Sequence, residues 1–281
     1  MPESSNIDSG TVYGPSFLID PCWPVTIYVL GDFRLLQHGQ PMPVRVGEKG
    51  VLLLAYLALE YGQSLSSTGV AKLLWPQSPA DLAANSLRNL VYGLQKLLVP
   101  GVLAGPLLQR VGGSLRLNVE AGIGVDTHWF DDLAQEGARS LAEGDEAAAI
   151  ACYSRAVTWY GGDLCIAVDA RTTARRERLR ARCLALLSWL ADHSFRAGDT
   201  DASLEYLWRL LAIDACHEEA HRMVMRCYMR RGERGAALRQ YELCAEQLRM
   251  RFGATPESTT VKLFEQIRDQ PPTADAYLTR N

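Results

Sequence analysis

The chain has 281 residues, long enough for two domains of ordinary size that each bury a core. With 48% apolar and 22% charged residues, its composition is globular and excludes wholesale disorder. A formal net charge of −3 excludes nucleic-acid binding through overall basicity, so any such contact must come from a local face.

Residues 1–24 mix Ser, Gly, Pro and Asp around a short apolar patch, Phe17, Leu18 and Ile19. They read as a mobile tail with a docking end. No Lys or Arg precedes Arg34, and no apolar run reaches the ~18 residues of a membrane span. A soluble cytoplasmic protein with no membrane partner is expected.

From Val25 the sequence alternates apolar and polar residues around turn signals at Gly31-Asp32 and His38-Gly39-Gln40, which predicts short antiparallel strands. A helix follows from Glu48 to Tyr61, its broad apolar face made by Val51, Leu52, Leu54, Ala55, Leu57 and Ala58, and Gly62 ends it. A second helix, Ser67 to Leu74, begins at capping serines and stops at Trp75-Pro76. The third has Ser78 as its cap and Pro79 in its first turn, and runs to about Leu98. Beyond a Pro/Gly loop, LLQRV and SLRLN flank Gly112-Gly113, a hairpin signal. Strands, three helices and a terminal hairpin fit a winged helix-turn-helix, with the third helix as candidate reader and the hairpin as wing; by order alone an unrelated small α+β domain shares these elements.

From Trp129 onward the pattern is helical and repeats. Gly144, Gly198 and Gly232 each precede polar residues and then a small, apolar helix start. Gly198 and Gly232 are 34 residues apart, the tetratricopeptide period, and Gly144 and Gly198 are 54 apart, that period with about 20 residues inserted. Ala148, Ala202 and Ala236 are expected to let paired helices approach, with Tyr153 and Tyr241 as matching bulk. The expected architecture is mainly α: a winged-helix domain (α+β) over 25–127, an all-α tetratricopeptide-like domain over 128–270, and a tail, 271–281.

The third helix has an apolar stripe of Leu87, Leu90, Val91, Leu94, Leu97 and Leu98. Its opposite face is Asn85, Asn89, Tyr92 and Lys96, flanked by Arg88 and Gln95. Asn and Gln match adenine edges, Arg matches guanine, and Lys or Tyr matches phosphate, although by itself such a pattern more commonly marks a solvated helix face. Arg110 and Arg116 on the hairpin complete this candidate DNA-binding set. Residues 25–127 hold eight Lys/Arg against six Asp/Glu, a thin excess, so a monomer is expected to bind DNA weakly and to need a dimer or tandem arrangement.

A second basic feature is the run of six arginines from Arg171 to Arg182. One reading makes Arg171, Arg175, Arg176 and Arg178 contacts to phosphate or to an acidic partner. The other, which is the expectation, pairs this face with acidic residues of a neighbouring helix.

Motifs in one order carry a family resemblance: VLGDFRLLQHGQPMPV, LLLAYLAL, AKLLWP, Asn85-Ser86-Leu87, the Gly112-Gly113 wing, VDTHWF from Val125, EEAHRMVMRCYMRRGERGAALRQYE and FGATPESTTVKLFEQI. From Val25 to about Asp269 the chain resembles the short, two-domain SARP/AfsR-type activators, an OmpR-type winged helix followed by a bacterial transcriptional activator domain. The resemblance implies a transcriptional activator that binds repeated promoter sites in double-stranded DNA, forms a homodimer there and contacts RNA polymerase. The chain departs from the family pattern at Tyr92-Gly93 and Gln95, where Ser-Arg and a further basic residue are usual, and at Leu115, where the wing often carries an aromatic.

Seven cysteines, Cys22, Cys152, Cys165, Cys183, Cys216, Cys227 and Cys244, are scattered without a Cys-x-x-Cys pair and read as small buried hydrophobes of a reducing compartment. No metal or cofactor is expected. No Walker loop, Gly-x-Ser-x-Gly or His-Glu-x-x-His is present, and the acidic pairs Asp131-Asp132 and Glu218-Glu219 read as solvated, so an enzyme is not expected. The alternative to a DNA-binding regulator is an interaction adaptor with a degenerate winged helix and a tetratricopeptide scaffold.

Overall fold

The computed structural model describes residues 23–43, 45–98 and 101–269. Residues 1–22 of the expected amino-terminal tail, and the carboxy-terminal tail, lie outside it. The chain divides into two compact units. One takes residues up to 27 with 34–53 and 60–124, the other 28–33, 54–59 and 125 onward, so the break comes slightly before the one read from the sequence.

Three short strands open the fold: β1 (Val25–Tyr28), β2 (Arg34–Gln37) and β3 (Gln40–Pro41). His38 (φ 47°) and Gly39 (φ 77°) both adopt the left-handed region, as a two-residue hairpin turn demands, and pair Gln37 with Gln40. Helix α1 (Gly47–Leu59) buries Leu53, Leu54, Ala55, Leu57 and Ala58 almost completely. Then come β4 (Leu65–Ser66), α2 (Ser67–Leu74), α3 (Ala80–Gln95), β5 (Leu108–Val111), β6 (Ser114–Leu117) and β7 (Ile123–Val125). Two sheets result, in the orders β3-β2-β1-β7 and β4-β6-β5.

The second sheet is the wing. Gly112 (φ 53°) and Gly113 (φ 80°) form its turn, and Leu108, Leu115 and Leu117 point inward. Leu115, where an aromatic is usual, is therefore core of the wing. Ser66 caps α2 by accepting from the Gly69 amide at 3.4 Å. The capping expected of Ser78 is not observed: Pro79 occupies the N-cap position of α3 without a side-chain bond, and the helix ends at Gln95 rather than near Leu98. Ala83, Leu87, Val91 and Leu94 form its buried stripe, while Leu90, Leu97 and Leu98 are half-buried.

The second unit is a series of helix pairs. Helices α4 (Asp126–Ala142) and α5 (Glu146–Trp159), α6 (Ala170–Ala197) and α7 (Thr200–Ile213), and α8 (Glu218–Arg230) and α9 (Arg234–Phe252) pack as successive hairpins, followed by α10 (Ser258–Asp269). Gly144, Gly198 and Gly232 turn each pair with φ of 84°, 91° and 75°. The expected small contacts shift by one position. Ala149, Ser203 and Ala237 are fully buried, whereas Ala148, Ala202 and Ala236 are half-buried, because the first two lie at the helix start and donate to the capping carboxylates of Asp145 and Asp199.

Tyr153 is buried against Gly137 of α4, where an added Cβ would lie 2.5 Å from the ring. Tyr241, half-buried, stacks on Phe264 of α10 with centroids 4.1 Å apart. The 20 extra residues of the first interval divide between the segment 160–169 and α6, which has 28 residues where α8 has 13.

Buried polar groups in this unit are matched. Asp126 Oδ2 accepts from the Val29 and Leu30 amides at 2.9 and 2.8 Å. The acidic pairs are not simply solvated. Asp131 accepts from Arg175 and Arg182; Glu218 accepts from Thr260 Oγ1 at 2.6 Å; and Glu219 binds Arg222 and Arg226 at 2.6 and 2.9 Å. These arginines hold the Glu219 carboxyl below its ordinary range against the opposing effect of burial. The described cysteines are free thiols, and burial raises Cys183 and Cys244 to about 12.

Candidate nucleic-acid interface

An amphipathic helix seated by one stripe leaves its other face to solvent, and in α3 that face runs along most of the helix. Asn85, Arg88, Asn89, Tyr92 and Lys96 are all exposed, spaced so that they line one side of the helix. Tyr92 is 63% exposed, and the Lys96 ammonium sits 4.2 Å above its ring centroid, so the two side chains order each other. Gly93 is exposed as well, and a Cβ built there meets nothing within 4 Å. Its lack of a side chain leaves a gap between Asn89 and Lys96.

Gln95 does not join this row. Its Nε2 donates to the Leu108 carbonyl at 2.5 Å, and the Leu108 amide donates back to Oε1 at 3.5 Å. A side chain read as a base contact instead ties the end of α3 to the first strand of the wing. Arg116 is also engaged: its Nε donates to Gln109 Oε1 at 2.6 Å, and its guanidinium lies 3.8 Å from Glu120. Across the wing, Arg110 is exposed.

Arg88 and Arg110 are brought to one groove between α2, α3 and the wing turn, and Lys72 of α2 joins them. Among the described residues none of the three has an ion-pair or hydrogen-bond partner. Lys72 escaped the sequence reading because a single cation in a short helix carries no pattern; its position on the exposed flank of an amphipathic helix was the available signal.

The arginine run on α6 is largely spent on structure. Arg175 binds Asp131, Arg176 donates twice to the Leu164 carbonyl at 3.1 and 2.8 Å, and Arg180 donates to the Ile213 carbonyl at 2.7 Å. Arg171 and Arg178 are exposed. Among the described residues no group of His, Cys, Asp and Glu could hold a metal ion, and no helix is long and apolar enough to cross a membrane.

The model of the bacterial transcriptional activator domain matches residues 125–268, just over half the chain and nearly all of the helical unit. The chain belongs to this family. Regulatory protein AfsR of Streptomyces coelicolor is 25% identical over 245 residues, covering 87% of this chain but only 24% of AfsR. Transcriptional regulator RedD of the same organism is 26% identical, covering 88% of this chain and 71% of RedD. Transcriptional regulatory protein MoaR1 of Mycobacterium tuberculosis is 25% identical, covering 89% and 81%. The solved structure of Mycobacterium tuberculosis EmbR in complex with a low affinity phosphopeptide superposes with a TM-score of 0.62 at 22% identity, over 89% of this chain and 66% of EmbR. This bacterial transcriptional activator domain protein therefore shares its fold with EmbR, a winged helix followed by tetratricopeptide-like helices.

Proposed function

We propose that the protein is a sequence-specific, DNA-binding transcriptional regulator, acting as an activator at repeated promoter sites. One observation carries the reading. Helix α3 presents Asn85, Arg88, Asn89, Tyr92 and Lys96 as an open row, with the wing's Arg110 beside it. An α-helix fits the major groove, where Asn and Arg discriminate base edges, while Lys, Tyr and a wing arginine hold phosphates. Kinship with named transcriptional regulators supports the same reading. The cation set is small, so two copies on adjacent half-sites supply the affinity one lacks, and a homodimer on DNA follows. The helical unit, with Arg171 and Arg178 exposed, contacts RNA polymerase.

Selection from a random duplex library tests this. Enrichment of a directly repeated element is expected, and it should fail with Asn89→Ala in place of the natural residue. The adaptor reading draws on Gln95 and Arg116, whose side chains are used within the domain. It requires the selected pool to stay random.

A further inference from the structure

The groove between α2, α3 and the wing encloses about 820 Å³, within the range of roughly 300–1,000 Å³ of small-molecule sites. Its size has a cause in the sequence. Ala71, Ala83 and Ala84 form the floor with Leu87, and the wing turn above them is Gly112-Gly113. At these positions larger side chains would close the gap. Ala71, Ala83 and Leu87 are almost wholly buried, so the floor is apolar core surface rather than a solvated face. Trp75 forms a wall, steadied by the Lys49 ammonium 4.7 Å from its ring centroid.

The rim has one sign of charge. Lys72, Arg88 and Arg110 line it, and no Asp or Glu is among the lining residues. A duplex uses only the rim of such a groove, since its rigid backbone offers phosphates but nothing that fills an apolar floor. The matching occupant has a flat apolar body for the floor and Trp75, and an anionic group for the rim.

We propose that this groove is a binding site for an amphipathic organic anion with an aromatic or polycyclic body carrying a carboxylate, sulfonate or phosphate. Such a ligand engages Arg88 and Arg110, two cations of the proposed DNA surface, so ligand and DNA exclude each other and each weakens the other's binding equally. The coupling rests on the DNA-binding reading, whereas the site itself does not.

The test is a titration of the 281-residue chain, without DNA, using the fluorescent probe 8-anilino-1-naphthalenesulfonate. One saturable equivalent is expected. Lys72→Ala and Arg110→Ala, both at exposed positions, should each weaken it about tenfold by removing a charge-assisted contact. Ala84→Phe, which fills the groove from a half-buried position, should abolish it, and the neutral N-phenyl-1-naphthylamine should bind at least about tenfold more weakly. Unchanged affinity in Lys72→Ala and Arg110→Ala, or equal binding of the neutral probe, would overturn the site. So would an affinity that depends on protein concentration, which would assign the groove to a second copy. Because DNA is absent, a protein that fails to bind duplexes leaves these outcomes intact.

Discussion

Arg88 stands on both the open row of α3 and the rim of the groove, exposed and unpaired among the described residues. Replacing it by Ala removes no packing, so the melting temperature should hold, while promoter affinity should fall by about 1–3 kcal/mol, the worth of one arginine at a base edge. Fluorescence anisotropy with circular dichroism on the same samples checks both. Gly93 gives the opposite case. Its neighbourhood is open, so Gly93→Ala should stabilise the protein by about 0.5–1 kcal/mol in a denaturant melt. His221 sets a pH dependence. Its Nε2 lies 3.0 Å from the Ala215 carbonyl and so donates, while Gln240 Nε2 donates to Nδ1 at 2.6 Å, which fixes the neutral ring. Burial lowers its affinity for a proton, opposed by the Ala215 carbonyl, Glu218 and Asp214 and helped by His217. The unfolded chain takes that proton near the ordinary value of 6.5 while the fold resists it. Stability is thus full above pH 6.5 and lost as pH falls through the lower folded value; urea melts between pH 7 and 5 should show the loss in the natural protein and a reduced slope in His221→Gln.

At the scale of elements, the wing turn and the helix pairs depend on residues without side chains. Gly137 admits the Tyr153 ring between α4 and α5, so Gly137→Ala should destabilise by about 1–3 kcal/mol through overpacking. Adding Tyr153→Leu should recover part of that loss, which a thermal melt of the single and double variants resolves. The elements themselves were legible wherever a period or a turn signal exists. Helix α2 starts and stops at its serines and Pro76, the wing turns at Gly112-Gly113, and all three helical hairpins turn at their glycines. Strands β4 and β7 were not legible, since two or three residues carry no alternation and form only because β6 and β1 offer them partners. The shift of the close contacts from Ala148 and Ala202 to their neighbours was equally hidden, because it depends on where the Asp145 and Asp199 caps begin each helix.

Across the whole molecule, the order of a winged helix and paired helices follows from hydrophobic pattern and a 34-residue interval, which are properties of long stretches. The functional surface is harder to read because it depends on what each polar side chain does with its neighbours. Gln95 and Arg116 look like their exposed companions in the sequence, yet they are bonded within the domain, and Lys72 joins Arg88 and Arg110 only through the packing of α2 against α3 and the wing. What remains is a small set of open cations on a chain of net charge −3. The affinity of the 281-residue chain for duplex DNA, measured against salt concentration, tests that set. Each phosphate neutralised contributes about −0.9 to the slope of log affinity against log salt, so Lys72, Lys96 and Arg110 on phosphates should give roughly −2 to −3 per copy. Lys72→Ala should make the slope shallower by about 1. A slope of zero, or one that Lys72→Ala and Arg110→Ala both leave unchanged, would mean that α3 and the wing do not meet DNA.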